Sequence, residues 1–254
     1  MGISFDELKI LADKKGFDLA LLEKDYLLTE LLYIIKDIKG IYFKGGTALN
    51  KILLCHKRLS EDLDFTLTRK LSEVEKDIKD RLKGTRFKKI THDKRVSHFV
   101  RLIAHYKLFH EEGTIFINLN ARAKIRLKPQ KTNIPHFYKG YIPEFKVKTL
   151  NIKELIAEKI CAMVQRYAPR DYYDIYNIIK KKLPIDMKLV KQKFKDDNEE
   201  FDISRIFKRS YRIHNKWEID LLPLTTTKPS FKEVMQTLTR FFKYKEHKEA
   251  LKEK

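Results

Sequence analysis

Cysteine is scarce in this 254-residue sequence: Cys55 and Cys161 are its only two. Neither belongs to a C-x-x-C pair, so no zinc site is indicated. Both lie in apolar helical patterns, where they read as buried thiols of a reducing compartment. Long apolar runs are also lacking, since none approaches the roughly 18 residues that span a bilayer. The opening MGISFDELKI carries acids where a secretory signal has basic residues. A cytoplasmic protein without a membrane segment is therefore expected. There is no internal repeat and no low-complexity tract. Acidic residues are short as well, 35 Asp and Glu against 55 Lys and Arg, which leaves a formal net charge of +20. Such an excess favours a polyanionic partner, nucleic acid first. A lysine-rich surface that merely solvates helices has the same charge.

What is present is enough for a core. Hydrophobic residues make up 43% of the chain and charged ones 35%, and the length holds one large domain or two modest ones. Ser4 and Glu7 have capping-box spacing at the head of a helix running to about Lys14. A longer apolar helix is expected over Leu19 to Lys36, with Lys24, Asp25 and Glu30 on its solvated face. Leu71 to Lys83 alternates charges at helical period and Gly84 ends it. From Thr85 to about Arg126 the period shortens toward two, predicting three strands with Gly113 in the turn before the last. Residues 128–143 hold Pro129, Pro135, Pro143 and Gly140 and read as a linker. Beyond Leu150 the pattern is helical: Asn151 to Tyr167, Asp171 to Lys182 after a break at Pro169, Met187 to Phe194 and Phe201 to Tyr211. Leu221 to Ser230 reads as a loop before a basic terminal helix. An α+β chain of two domains follows, 1–143 with a mixed sheet and 144–254 helical.

The chemistry concentrates in IYFKGGTALNKILLCHKRLSEDLDFTL, residues 41–67. Ile41 to Phe43 suits a short strand, Gly45 and Gly46 a tight turn, and Thr47 the cap of a helix through Leu54. Leu63 to Leu67 suits a second strand with Asp62 and Asp64 at its head, two apart and so on one face. Backbone N–H groups of a Gly turn at a helix start bind phosphate, and paired carboxylates hold a divalent cation such as Mg²⁺ or Mn²⁺. Either half alone is common in ordinary turns and strand ends. The two in this order, one helix apart, are what phosphoryl and nucleotidyl transfer requires.

KGGTALNK followed by RLSEDLDF resembles the signature of polymerase-β-type nucleotidyltransferases, in the form carried by AbiEii-like toxins of abortive-infection and type IV toxin–antitoxin systems. ELIAEKICAMVQRYAPRDYYDIY, residues 154–176, is similar to that family's C-terminal helical motif. The resemblance implies an N-terminal polymerase-β-like nucleotidyltransferase domain and a helical domain closing the nucleotide cleft. It also implies transfer of NMP from an NTP to an acceptor hydroxyl. Gly45, Gly46 and Thr47 would hold the phosphates, with Lys51, Arg58 and Ser60 in support, and Asp62 and Asp64 would bind metal. Lys159 matches the lysine that contacts the triphosphate and Asp174 the distal aspartate. Asp171 competes for that place but also suits the cap of the helix after Pro169, the role assigned to it here. Arg166 and Arg170 face either phosphate or these aspartates. A tRNA or other structured RNA as acceptor and a cognate antitoxin as partner are implied likewise.

One position departs from the pattern. The third carboxylate of polymerase-β-type enzymes is expected in TIFINLNAR, where Asn118 and Asn120 stand instead. An amide oxygen can ligate a metal, but an amide accepts no proton at neutral pH. A degenerate NTP- or RNA-binding protein, or an enzyme acting on a protein or small-molecule hydroxyl, are the rival expectations. His105 and His110 lack metal-spaced partners and read as surface residues, and Tyr172, Tyr173 and Tyr176 as core. The basic runs KKITHDKR, ARAKIRLKPQK and RFFKYKEHKEALKEK fit a phosphate-backbone groove or a solvated face.

Overall fold

The structure is a computed structural model that describes residues 2–109, 111–208 and 210–244. It falls into two compact units, Met1–Asn151 and Ile152–Lys254. His110 and the end of the last basic run lie outside the described residues.

The first unit opens with helices α1 (Phe5–Lys15) and α2 (Leu19–Ile35), and Ser4 and Glu7 close the expected capping box. Strand β1 (Ile41–Lys44), helix α3 (Gly45–Ile52) and strand β2 (Asp62–Leu67) follow, then helix α4 (Leu71–Leu82). Three strands come next, β3 (Lys89–Val96), β4 (Phe99–Leu108) and β5 (Glu111–Asn120), and β6 (Gln130–Asn133) and β7 (Lys146–Thr149) complete the unit. One mixed sheet takes them in the order β3-β4-β5-β2-β1-β7-β6. β2 runs parallel to β5 and β1 to β7, and the remaining pairs are antiparallel. Alternation of side chains gives the sheet a buried side, on which Val100, Leu102, Ala104, Ile115, Ile117 and Leu119 are fully enclosed.

Several local expectations are corrected. Gly113 lies inside β5 opposite Tyr106, and a Cβ there would sit 2.3 Å from that ring. Glycine at 113 makes room for an aromatic neighbour and forms no turn. The proline-bearing stretch 128–143 is not the boundary: it contains β6, buries Ile134, Tyr138 and Ile142, and leads into β7. The units part eight residues later, after Asn151. Cys55 is exposed in the turn after α3, whereas Cys161 is buried and desolvation pushes its thiol up to about 12.

The second unit is helical. α5 (Ile152–Arg166), α6 (Pro169–Lys180) and α7 (Met187–Asp196) fall close to the expected bounds. Helical residues Arg205–Lys208 (α8) and Ser210–Leu221 (α9) lie further along the chain than the helix expected over Phe201 to Tyr211, and α10 (Phe231–Phe241) follows. Pro169 stands at the start of α6, where a missing N–H costs nothing, so it begins a helix as well as breaking one. Tyr172, Tyr173 and Tyr176 are buried and spend their hydroxyls on Ile206 O, Thr227 Oγ1 and Glu233 Oε1, as core residues do.

Candidate active site

In the first unit the Gly turn and the carboxylate pair face each other across β1 and β2. Lys44, the last residue of β1, pairs with Asp64, and α3 starts on the next residue. Gly45 has φ +78°, and a Cβ on it would lie 2.0 Å from Asp64 Oδ2. Only glycine permits both that backbone and that approach. Lys44 is the cap residue of α3, without a side-chain cap on the helix, so Thr47 does not play its expected role. Thr47 is buried in the first turn and its Oγ1 donates to Asp62 O at 2.5 Å, tying the helix start to the carboxylate strand. The helix therefore starts without a side-chain cap from Lys44 and beside Asp64, and Asp62 and Asp64 are both half-buried.

The place of the missing third acid is occupied by a relay. Asn118 pairs with Asp64 across the parallel β2–β5 ladder. Its Nδ2 donates to Asp64 Oδ1 at 2.9 Å, and its Oδ1 accepts from Arg101 Nε at 2.8 Å. An arginine Nε–H only donates, which fixes the amide's orientation. Asn118 thus offers Asp64 a hydrogen and spends its oxygen on Arg101. Asn120 is elsewhere, its Oδ1 accepting from the N–H groups of Arg122 and Ala123 in the turn after β5.

Two supporting bases point inward. Lys51 Nζ lies 2.7 Å from Asp25 Oδ1, with each side chain 2% exposed, and donates also to Thr29. Asp25, expected on a solvated face, accepts as well from Tyr138 Oη at 3.0 Å. Arg58 is buried and donates to Leu59 O. Ser60, half-buried, stands just ahead of β2.

In the second unit Lys159 lies between two fully buried aspartates, 2.9 Å from Asp171 Oδ1 and 3.0 Å from Asp174 Oδ2. Asp171 takes two further bonds from Arg166, at 2.6 and 2.8 Å. Burial would raise its pKa, but Lys159 and Arg166 hold its carboxyl well below the usual carboxylate range. The division expected between these aspartates is corrected: Ala168 occupies the cap position of α6, and both carboxylates meet the same ammonium. Arg166 therefore satisfies the ion-pair expectation.

The first-unit residues fit a divalent cation of the Mg²⁺ kind. Two carboxylates beside a turn shaped around one of them supply hard oxygen donors, and Mg²⁺ takes one or two carboxylates and completes its shell with water and substrate phosphates. Among the described residues no group of three or more His, Cys, Asp or Glu forms a cage made by protein alone.

Sequence reasoning missed Arg101 and Asp25. Arg101 carries no motif, since only strand pairing brings it to Asn118. Asp25 had a signal in its neighbours, because Leu22, Tyr26, Leu28 and Thr29 surround it on an apolar helix.

A family model described as the nucleotidyltransferase AbiEii toxin of type IV toxin–antitoxin systems matches residues 26–252. Among solved structures, the nucleotidyltransferase toxin MenT4 of Mycobacterium tuberculosis is 20% identical with a TM-score of 0.73, covering 94% of this chain and 89% of its own. JHP933 of Helicobacter pylori is 19% identical with a TM-score of 0.62, covering 93% and 95%. A putative nucleotidyltransferase of H. pylori is 20% identical with a TM-score of 0.63, covering 93% and 98%. At these identities the likeness is one of fold. No curated protein matches the chain.

Proposed function

The chain belongs to the AbiEii nucleotidyltransferase toxin family, and on that premise we propose that it transfers NMP from an NTP to a hydroxyl of RNA, tRNA or another structured RNA. In this reading it inhibits growth in the cytoplasm until an antitoxin restrains it. One observation carries the reading: Asp64, with Asp62 two residues before it on β2, lies against a turn that only Gly45 allows, at the N-terminus of α3. Phosphates of the NTP lie on the N–H groups of Gly46 and Thr47, where the helix dipole favours negative charge. Asp62 and Asp64 hold Mg²⁺ or Mn²⁺, which when bound screens phosphate charge and lowers the pKa of an attacking hydroxyl. Asn118 fixes Asp64 by one oxygen and leaves Oδ2 turned toward Gly45. With an amide at 118 in place of a third carboxylate, positioning and electrostatics supply most of the rate. The +20 net charge supports RNA as acceptor over a protein or small-molecule hydroxyl.

The test is incubation with each labelled NTP, Mg²⁺ and total RNA. Label is expected in RNA with the native protein, and Asp62→Ala and Asp64→Ala should remove it together with toxicity while leaving the circular dichroism spectrum unchanged. Full toxicity in either variant contradicts the assignment. The reading as a catalytically degenerate binder draws on the amide at 118 and predicts NTP binding with no label in RNA under any of the four nucleotides.

A further inference from the structure

The sheet of the first unit has a second side. Strand pairing carries it outward from the carboxylates: Asp64 pairs with Asn118, Asn118 with Arg101, and Arg101 with Lys94. Directly paired residues project from the same face. The Asp64–Asn118–Arg101 hydrogen bonds confirm it here, as does the Arg101 guanidinium lying 5.1 Å over the Phe116 ring. Farther along, Thr91 and His105 share a hydrogen bond of 2.8 Å on the same side.

The two faces differ in what covers them. Leu102, Ala104, Ile115 and Ile117 are fully enclosed on one, whereas Arg101, Ile103, His105 and Phe116 on the other are half-buried and Lys89 and Lys94 are exposed. Apolar and aromatic side chains thus remain open to solvent between cations, on a surface that begins at the metal-binding pair. Asp93, 3.4 Å from Arg101, and Glu112, 4.0 Å from Lys107, are acids set into it.

We infer that this face of β3, β4 and β5 is a platform for the single-stranded 3′ end of an RNA, with phosphates on Lys89 and Lys94 and a base stacked on the Arg101–Phe116 layer. The inference rests on the nucleotidyltransferase reading for its direction, since a strand laid along the face ends at Asp62 and Asp64. The positive charge selects a polyanion. The open aromatic and guanidinium surfaces select one whose bases are unpaired, because a duplex presents its phosphates but hides its base faces.

The experiment measures binding of a fluorescent single-stranded RNA, and of the same sequence in a blunt duplex, by anisotropy over a range of salt without NTP or metal. The proteins are the native chain, Phe116→Ala, the double variant Lys89→Glu with Lys94→Glu, and Lys9→Glu on α1 as a control. Circular dichroism and binding of a fluorescent NTP analogue report folding and the nucleotide site. The strand should bind more tightly than the duplex. Phe116→Ala should weaken it by about tenfold or more, and the double charge reversal should make the salt dependence shallower by about one to two in log–log slope. Lys9→Glu should leave the slope nearest the native value. Native-like strand affinity in both platform variants, equal binding of the duplex, or no binding by the native chain would overturn the inference. RNA bound through this face without any NMP transfer would refute the proposed reaction alone. Transfer to RNA that ignores the platform variants would refute the platform alone.

Discussion

Lys51 illustrates how a basic residue beside a phosphate-binding turn is committed elsewhere. Its ammonium lies in the core against Asp25 and Thr29, so removing it leaves a buried carboxylate without its partner. Lys51→Ala should therefore lower stability by about 3–5 kcal/mol, measured by urea denaturation. A small loss of stability with a large loss of NTP affinity would restore the direct phosphate contact. Asn118 gives a second contrast. Asn118→Asp replaces a donor to Asp64 Oδ1 with a second carboxylate at hydrogen-bond distance, and like charges so placed repel unless a cation lies between them. Melting temperature should fall in the absence of metal and recover with added Mg²⁺ at lower concentration than the native chain needs. An unaltered Mg²⁺ titration would show that Asn118 lies outside the metal's reach.

At the level of elements, the exit from α3 is held as tightly as its start. Cys55 and His56 both have left-handed backbone, with φ of +53° and +55°, and the turn folds back so that His56 N donates to Asn50 O. This buries the His56 ring against Phe137, at 4.4 Å between centroids. Desolvation, and then the neighbouring Lys51, push its pKa down to about 3. Between about 3 and the ordinary 6.5 the unfolded chain takes up a proton that the native ring refuses, so stability falls as pH drops through that window. His56→Asn tolerates the left-handed backbone without the titration. Between pH 7 and pH 5 the native chain should lose about 2 kcal/mol more than this variant, read from urea midpoints at the two pH values. Equal losses would place the acid sensitivity elsewhere. The turn was not legible in the sequence, because its left-handed residues are Cys and His where Gly or Asn would have marked it. The capping box of α1, the period-two strands and the paired aspartates were legible, since each follows from spacing alone. Arg101 was not, because strand register gave it its partner, and Asp25 was marked only by its apolar neighbours while its partner Lys51 came from tertiary packing.

On the scale of the whole chain, the division into units tests how far composition can locate a boundary. Proline and glycine over 128–143 mark a linker when read locally, yet Tyr138 reaches across the first unit to Asp25 and Leu22 O. β7 inserts beside β1, with Leu150 N donating to Phe43 O, and carries β6 on its other edge. The contacts of Tyr138 with α2 and of β7 with β1 join residues more than 100 positions apart and leave no local trace. A fragment ending at 143 lacks β7, which strips β6 of its partner, exposes the edge of β1 and removes Phe145, Val147 and Leu150 from the core. A fragment ending at 151 keeps the complete sheet. The 1–151 fragment should therefore unfold cooperatively in urea with the circular dichroism of a mixed α and β protein. The 1–143 fragment should aggregate or unfold without a cooperative transition. Equal stability of the two would return the boundary to the proline-bearing stretch and reduce β7 to an ornament of the sheet edge.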